Sequence, residues 1–365
     1  MACSSSPDYF LPHIARMEGY VPGEQPRQRQ LVKLNTNENP YPPSPLIKSA
    51  LKNFDLDVLR RYPDPSARGL RELVASLFDL SPDSVIVTNG GDEGLRLAVT
   101  TMVDPGGALG MVDPSYSLYP VLANIQNCRI ESLRLEKDWT LPKTLSEHLN
   151  ASGAQLTCLV NPHAPSGVLC SVETLREIAD GLEGVLLIDE AYADFVDPEL
   201  GYDSIPLIHE FDNVLVLRTL SKGYSLAGLR LGFLIGNATL IEPIANKTRD
   251  SYNIDTITQS LALIALNDSD HALKSCAKVR AERARMRDEL SRIGFVVPAS
   301  QANFLLAEVP GPMNAFTLYR SLREAKILVR YFDSPPLDQC LRITVGTPGE
   351  NDHFLKAVSQ ILQAS

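Results

Sequence analysis

LRTLSKGYSLAGLRLGF, residues 217–233, sets one lysine, Lys222, among small, hydroxylated and apolar residues, with no carboxylate within five positions on either side. A loop lysine is ordinarily exposed and solvated, so this setting asks what the amine is for. The runs flanking it, NVLVLRT (213–219) and LGFLIGN (231–237), are apolar throughout. Strands covered on both faces have that pattern, whereas half-buried strands alternate. Lys222 therefore belongs to the turn that follows one buried strand and leads to the next.

Working outward, similar runs recur at SVIVTNG (84–90), ALGMVDP (108–114), LTCLVNP (156–162) and GVLLIDE (184–190). Helical patterns lie between several of them, such as DEGLRLAVTTMV (92–103) and SVETLREIADGL (171–182). This alternation predicts an α/β fold with a mostly parallel central sheet and helices on both faces. Asn161, Asp189 and Thr219 each follow directly on an apolar run, at the carboxyl end of a strand, where open α/β sheets bind ligands. Past residue 270 the character changes. A charged helix (271–294) leads into FVVPASQANFLLAEV (295–309), NAFTLYRSLREA (314–325), ILVRYF (327–332) and CLRITVG (340–346), a smaller α+β unit. The expected division is an arm over 1–40 packing near the small domain, a large domain over 41–270 and a small one over 271–365.

Composition narrows the function. The 365 residues suffice for two domains with a cleft between them. With 44% hydrophobic and 21% charged residues, no apolar run approaches the roughly 18 residues of a membrane span. The first twenty residues lack a basic segment followed by an apolar one, so no signal peptide is expected. Six cysteines without a CxxC pair read as buried or free thiols in a reducing cytoplasm. Six histidines without HxH or HxxxH spacing give no support for a metal site. A formal charge of −10 argues against nucleic acid or an anionic membrane as partner, so any anion site must be local. No GxGxxG occurs, which removes the usual dinucleotide loop.

A lysine amine at the ligand end of such a sheet condenses with carbonyl compounds, and with pyridoxal 5′-phosphate (PLP) it works beside an acid that keeps the pyridine nitrogen protonated. Asp189 is the candidate acid. Tyr192 follows it at i+3, so its hydroxyl can address another edge of the same ring. The phosphate needs donors. TNGGDEGLRLAV (88–99) puts two glycines directly before a helix, where free N–H groups of Gly91, Asp92 and Glu93 can face an anion. Thr219, Ser221 and Arg230 add hydroxyl and guanidinium donors. Tyr116 in DPSYSLYP (113–120) can stack on the ring. Arg330 in ILVRYF and Arg342 in CLRITVG sit in apolar runs with no carboxylate within two residues. A buried guanidinium is costly unless paired, so if both face the cleft the substrate carries two anionic groups.

The stretches LNTNENPYPPSP (34–45), RYPDP (61–65), NGGDE (89–93), DPSY (113–116), NPHAPSG (161–167), DEAY (189–192), RTLSKGYSLAGLRLG (218–232), ILVR (327–330) and CLRITVGT (340–347) together resemble the fold-type I PLP enzymes, most closely the histidinol-phosphate aminotransferases. The resemblance spans nearly the whole chain in order. It implies that Lys222 bonds the cofactor and shuttles a proton between substrate Cα and the cofactor's C4′. Asp189 pairs with the ring nitrogen, and Asn161 and Tyr192 bond the phenolic oxygen. Gly91, Asp92, Thr219, Ser221 and Arg230 hold the phosphate, Tyr116 stacks, and Tyr62 reaches the neighbouring subunit's cofactor in a homodimer. Arg342 and Asn161 serve the substrate, Arg342 at its α-carboxylate, and Arg330 with Tyr20 takes the histidinol phosphate. Tyr252 and Asn253 in SYNIDT (251–256) fall in a segment like one at the substrate site. The pattern is departed from at His163, Ala164 and Ser166, where the family often has two asparagines and a threonine. The implied reaction is histidinol phosphate with 2-oxoglutarate to imidazole-acetol phosphate and glutamate. Aromatic amino-acid transamination and a lyase resembling threonine-phosphate decarboxylase stay open beside it. A non-enzymatic regulator is disfavoured, since no helix-turn-helix segment is evident.

Overall fold

The computed structural model describes residues 9–26 and 31–364; Cys3 and the opening eight residues of the arm lie outside them. The strands are β1 (Val32–Lys33), β2 (Val85–Thr88), β3 (Ala108–Asp113), β4 (Arg129–Arg134), β5 (Ala154–Val160), β6 (Val185–Asp189), β7 (Val214–Thr219), β8 (Gly232–Gly236), β9 (Phe304–Glu308), β10 (Ile327–Leu328), β11 (Arg330–Tyr331) and β12 (Cys340–Thr344). Seven of them form the central sheet in the order β2-β8-β7-β6-β5-β3-β4. The β3/β4, β3/β5, β5/β6 and β6/β7 pairs are parallel, and β8 runs antiparallel to both its neighbours. All six apolar runs expected to be strands are strands here. Two core clusters cover the sheet, one holding Val87, Ile188 and Val216 and the other Ile86, Leu187 and Leu217. Adjacent residues of a strand fall in different clusters because side chains alternate across the pleat, which is why these strands read as continuously apolar.

Register fixes the site. Val160 of β5 pairs with Asp189 of β6, and Asp189 with Leu217 of β7. The three carboxyl ends therefore emerge side by side, and the turns after them meet at one edge of the sheet.

A second, antiparallel sheet has the order β11-β12-β9, and β10 pairs in parallel with β1 from the arm. Leu34 continues that link: its N–H donates to Leu328 O at 2.8 Å and its carbonyl accepts from Thr344 N–H at 2.9 Å. Its side chain joins Leu290, Leu341 and Phe354 in a third core cluster. Fully burying a Leu or Phe stabilises by roughly 1.5–3 kcal/mol each, so the arm is held by apolar packing as well as by strand pairing. The helix Pro348–Gln363 behind this sheet begins with a capping box, Thr347 and Glu350 each satisfying the other's backbone N–H. No helix among the described residues is long and apolar enough to cross a membrane.

Candidate active site

The helix Gly90–Met102 starts at the end of β2 without a side-chain cap from Asn89, so its first amides are available as donors. Gly90 has φ +74°, and a Cβ on it would lie 2.5 Å from Arg230 Nη2. A Cβ on Gly232 would lie 2.9 Å from the Gly90 carbonyl carbon, so β8 also approaches this turn too closely for any side chain. The turn is glycine because backbone and guanidinium crowd it.

Around it opens a cleft of about 440 Å³, walled by Gly91, Asp92, Tyr116, Asp189, Tyr192, Thr219, Ser221, Lys222 and Arg230 on one side and by Tyr20, Arg330 and Arg342 on the other. Thr219 Oγ1 lies 2.9 Å from Ser221 Oγ, and Arg230 Nη1 lies 3.4 Å from the same Ser221 oxygen. Arg230 Nη2 also reaches Asp92 Oδ2 at 3.2 Å, while the Tyr116 hydroxyl lies 3.3 Å from Asp92 Oδ1. Glu93 turns elsewhere: its Oε2 accepts from the Asn89 N–H and from Asn253 Nδ2, and its side chain does not line the cleft.

Lys222 Nζ donates to Thr36 O at 3.3 Å and lies 5.9 Å from the centre of the Tyr192 ring. No carboxylate comes within 4.0 Å of it among the described residues. Burial, aided by the nearby Arg342 charge, lowers its pKa to about 8. The downward shift enlarges the share of neutral amine near neutral pH, which a nucleophilic lysine needs.

Asp189 is 3% exposed. Its Oδ2 accepts from the Tyr119 hydroxyl at 2.9 Å and its Oδ1 from the Ala191 N–H at 3.2 Å. Burial raises its pKa to about 6 against the lowering effect of those two donors. No cation pairs with it among the described residues, so it has capacity for one from the cleft.

Arg330 and Arg342 are register partners across β11 and β12. Like charges directly opposite on neighbouring strands repel, yet neither guanidinium has a carboxylate within 4.0 Å among the described residues. Arg342 Nη2 donates to Asn35 O at 3.3 Å, its Nε is buried without a hydrogen-bond partner, and burial lowers its pKa. Both lie over the ring of Phe332, at 5.6 Å in each case. Tyr20 reaches the same space from the arm and packs edge-on against Tyr116, with centroids 6.0 Å apart.

Asn161 and Asn253 are placed otherwise than expected. Asn161 follows β5 as foreseen, but its carboxamide donates to Cys170 O at 3.0 Å and Tyr202 Oη at 2.9 Å and accepts from the Cys170 N–H at 2.8 Å. It lines a second cavity of about 540 Å³ behind the loop, and Ala164 and Pro165 of that loop face the cleft instead. His163 anchors the loop: its Nε2 lies 2.9 Å from Pro114 O and its Nδ1 2.7 Å from Ser166 Oγ, and burial lowers its pKa to about 4. A neutral ring donating to the carbonyl and accepting from the hydroxyl satisfies both contacts. Tyr62 is 81% exposed and stacks on Tyr252 at 4.5 Å, outside this chain's cleft. Asn253 serves Val87 O and Glu93 rather than the cleft.

Sequence reasoning passed over Tyr119, Asn35 and Asn37. Tyr119 holds Asp189, and Asn37 donates to the Tyr192 hydroxyl at 3.0 Å. The run of asparagines in LNTNEN was the available signal for the arm's part in the site.

Amide, hydroxyl and guanidinium donors at the glycine turn, an unpaired buried carboxylate and a partly neutral lysine are the groups that a phosphate, a pyridine nitrogen and an aldehyde require. The donor set fits PLP.

Residues 29–358 match the family described as aminotransferase class I and II. A histidinol-phosphate aminotransferase 1 of Trichormus variabilis is 42% identical over 357 residues, covering 98% of this chain and 99% of its own. A histidinol-phosphate aminotransferase of Synechocystis is 40% identical over 352 residues, covering 96% and 97%. The crystal structure of a histidinol-phosphate aminotransferase from Sinorhizobium meliloti, in complex with pyridoxal-5′-phosphate, superposes with a TM-score of 0.88 at 23% identity over 99% of both chains. Matched from the arm to the last helix, with a lysine, an acid and a glycine turn meeting where the central strands end, the chain belongs to the class I and II aminotransferases.

Proposed function

We propose that this protein transfers the amino group of histidinol phosphate to 2-oxoglutarate, giving imidazole-acetol phosphate and glutamate, and in the biosynthetic direction the reverse. The observation that carries the substrate assignment is the pair Arg330 and Arg342, opposed across two strands at the cleft of Lys222 with no carboxylate within 4.0 Å of either among the described residues. A substrate bearing both a phosphate and an α-carboxylate, or one of them in each half-reaction, supplies the missing anions. The names of the relatives at 42% and 40% identity support the same substrate.

As a member of this family the protein uses PLP. When bound, the cofactor supplies an aldehyde that joins amines and a ring that draws off the electron pair left at the substrate's Cα. The chain supplies the rest. The Gly91 and Asp92 amides, Thr219, Ser221 and Arg230 hold the phosphate. Asp189, kept in place by Tyr119, would pair with the ring nitrogen and keep its proton there. Tyr192 donates to the phenolic oxygen and Tyr116 packs on the ring. Lys222 would anchor the cofactor and, at its Nζ, would carry the proton between the substrate's Cα and the cofactor's C4′; an amine whose pKa burial lowers to about 8 suits both taking and giving it near neutral pH. Arg342 orients the α-carboxylate with a charge-assisted contact, and Arg330 with Tyr20 takes the phosphate.

Tyr62 suits the neighbouring subunit's cofactor phosphate, which makes the working form a homodimer with shared sites. A reducing cytoplasm suits the five described cysteines, all free thiols. The division into an arm (1–40), a large domain (41–270) and a small domain (271–365) puts the cleft where the three meet.

The test is purified protein loaded with PLP and assayed for amino transfer from glutamate to imidazole-acetol phosphate, phenylpyruvate and 4-hydroxyphenylpyruvate, with CO₂ release from threonine phosphate measured in parallel. Preference for phenylpyruvate, or CO₂ release without transfer, replaces this assignment.

A further inference from the structure

Asn37 is 2% exposed, with φ +56°. Its N–H donates to Thr344 Oγ1 at 3.0 Å, its carbonyl accepts from Asn303 Nδ2 at 2.9 Å, and its Oδ1 accepts from the Thr344 hydroxyl at 3.2 Å. Thr344 has one hydroxyl proton, and giving it to Oδ1 leaves the amide end of Asn37 facing Tyr192 Oη at 3.0 Å. An amide nitrogen only donates. The contact therefore occupies a lone pair of the Tyr192 hydroxyl, whose own proton must go elsewhere. The Tyr192 ring is fixed by an edge contact with Phe304, centroids 5.0 Å apart, and it borders the cleft.

We infer that Asn37 is a positioning residue for the reaction: it fills the acceptor side of the Tyr192 hydroxyl and so commits that hydroxyl's proton to the cleft, toward the cofactor's phenolic oxygen. This rests on the assignment of Tyr192 to that oxygen. The placement of its expected companion sharpens the role. The Asn161 carboxamide is engaged by Cys170 and Tyr202, and Ala164, which faces the cleft from the same loop, has no side-chain donor. Tyr192 is then left to make the contact, and its direction depends on a residue of the arm. A proton donated to the phenolic oxygen disperses its negative charge and lowers the proton affinity of the nitrogen that joins the cofactor to Lys222. That affinity is visible as the pH-dependent absorbance of the loaded protein.

The experiment titrates this absorbance between pH 5 and 9 in the PLP-loaded wild type, Asn37→Gly, Asn37→Asp, Tyr192→Phe and the two double variants. Glycine accepts the left-handed backbone and deletes the donor. Aspartate also tolerates that backbone and keeps the acceptor for Thr344, but replaces the donor with a second acceptor. Tyr192→Phe raises the midpoint, and Asn37→Gly raises it by about one unit, a tenfold change in proton affinity. Asn37→Asp raises it further, because the carboxylate takes the tyrosine's proton for itself. In the Tyr192→Phe background Asn37→Gly adds nothing, as expected of two residues acting through one contact. Thermal melting of each apo protein reports the fold, and Asn37→Asp carries the comparison if the glycine variant melts early. If both Asn37 variants titrate like wild type, or Asn37→Gly shifts the midpoint equally without the tyrosine hydroxyl, the inference is overturned. If Tyr192→Phe leaves the midpoint in place, the assignment of Tyr192 to the phenolic oxygen fails first and the role of Asn37 goes with it.

Discussion

Replacing Arg330 with alanine separates a phosphate-bearing substrate from one with a neutral side chain. A charge-assisted contact contributes about 1.5–3 kcal/mol, so Arg330→Ala lowers kcat/KM for histidinol phosphate by about tenfold to a hundredfold. Stability moves little, because two small effects oppose each other. The variant loses a guanidinium 5.6 Å from the Phe332 ring, worth about 0.5–1 kcal/mol. It also removes the like-charge opposition to Arg342, worth about 0.2–1 kcal/mol in the other direction. The apo protein should thus melt within a few degrees of wild type. Steady-state assays with 2-oxoglutarate, run in parallel on histidinol phosphate and phenylalanine, read the outcome. Arg342→Ala, which removes the α-carboxylate contact, impairs both substrates. If Arg330→Ala impairs both equally, or unfolds the chain, Arg330 is a structural cation and the phosphate assignment loses its main support.

Borohydride reduction of the PLP-loaded protein followed by peptide mapping labels Lys222; a label on another lysine ends the assignment of the cofactor. Sedimentation at micromolar concentration gives a species near twice 40.0 kDa, and a stable, active monomer refutes the shared site built on Tyr62. Asp189 has a folded pKa of about 6, raised from 3.8, so its contribution to apo stability is present below about pH 4 and lost as pH rises through 6. Asp189→Asn removes that loss. The apo variant should therefore melt above wild type at pH 7, by up to about 3 kcal/mol of stability, and by less at pH 4, while retaining PLP poorly on dialysis. An apo variant that melts below wild type at pH 7 contradicts the cost assigned to this buried carboxylate.

Much of the fold was legible because its strands are buried on both faces and announce themselves as unbroken apolar runs. The strand that escaped, β4, is RIESLR at the sheet edge, with Arg129, Ile130 and Arg134 exposed. One half-buried face, Glu131 and Leu133, and a high charge content leave too weak a pattern to find. ILVRYF read as one strand but divides at Val329 into β10 and β11, which pair in different sheets. Periodicity cannot reveal a change of partner. In the site, Lys222, Asp189 and Tyr116 were found because strand ends fix where residues emerge. Asn161 shows the limit of that rule, since a residue at a strand end can turn toward either side of its loop and this carboxamide turned to Cys170 and Tyr202. Tyr119 and Asn37 escaped for another reason. Each acts on a residue far along the chain, Tyr119 on Asp189 at a separation of 70 and Asn37 on Tyr192 at 155, and nothing local marks such a contact.

The arrangement of charge explains why the cleft is the least self-sufficient part of the molecule. The chain carries a formal charge of −10, yet Lys222, Arg330 and Arg342 share one cleft with no carboxylate within 4.0 Å of any of them among the described residues. Elsewhere the same fold balances buried cations without difficulty: Arg218 lies 2.6 Å from Glu190, and Arg283 lies 2.8 Å from Asp197 while also donating to Phe195 O. The missing partners at the cleft are therefore a local feature and do not reflect a shortage of acid. Burial without an opposite charge in contact lowers the pKa of Lys222 and of Arg342 and raises that of Asp189. Each shift follows from burying a charge that the folded chain does not balance. A cofactor with a basic ring nitrogen and a substrate with a phosphate and a carboxylate would offer the opposite charge at Asp189, Arg330 and Arg342, and the cofactor's aldehyde would take the amine of Lys222. Ligand binding and relief of this local destabilisation are then one process.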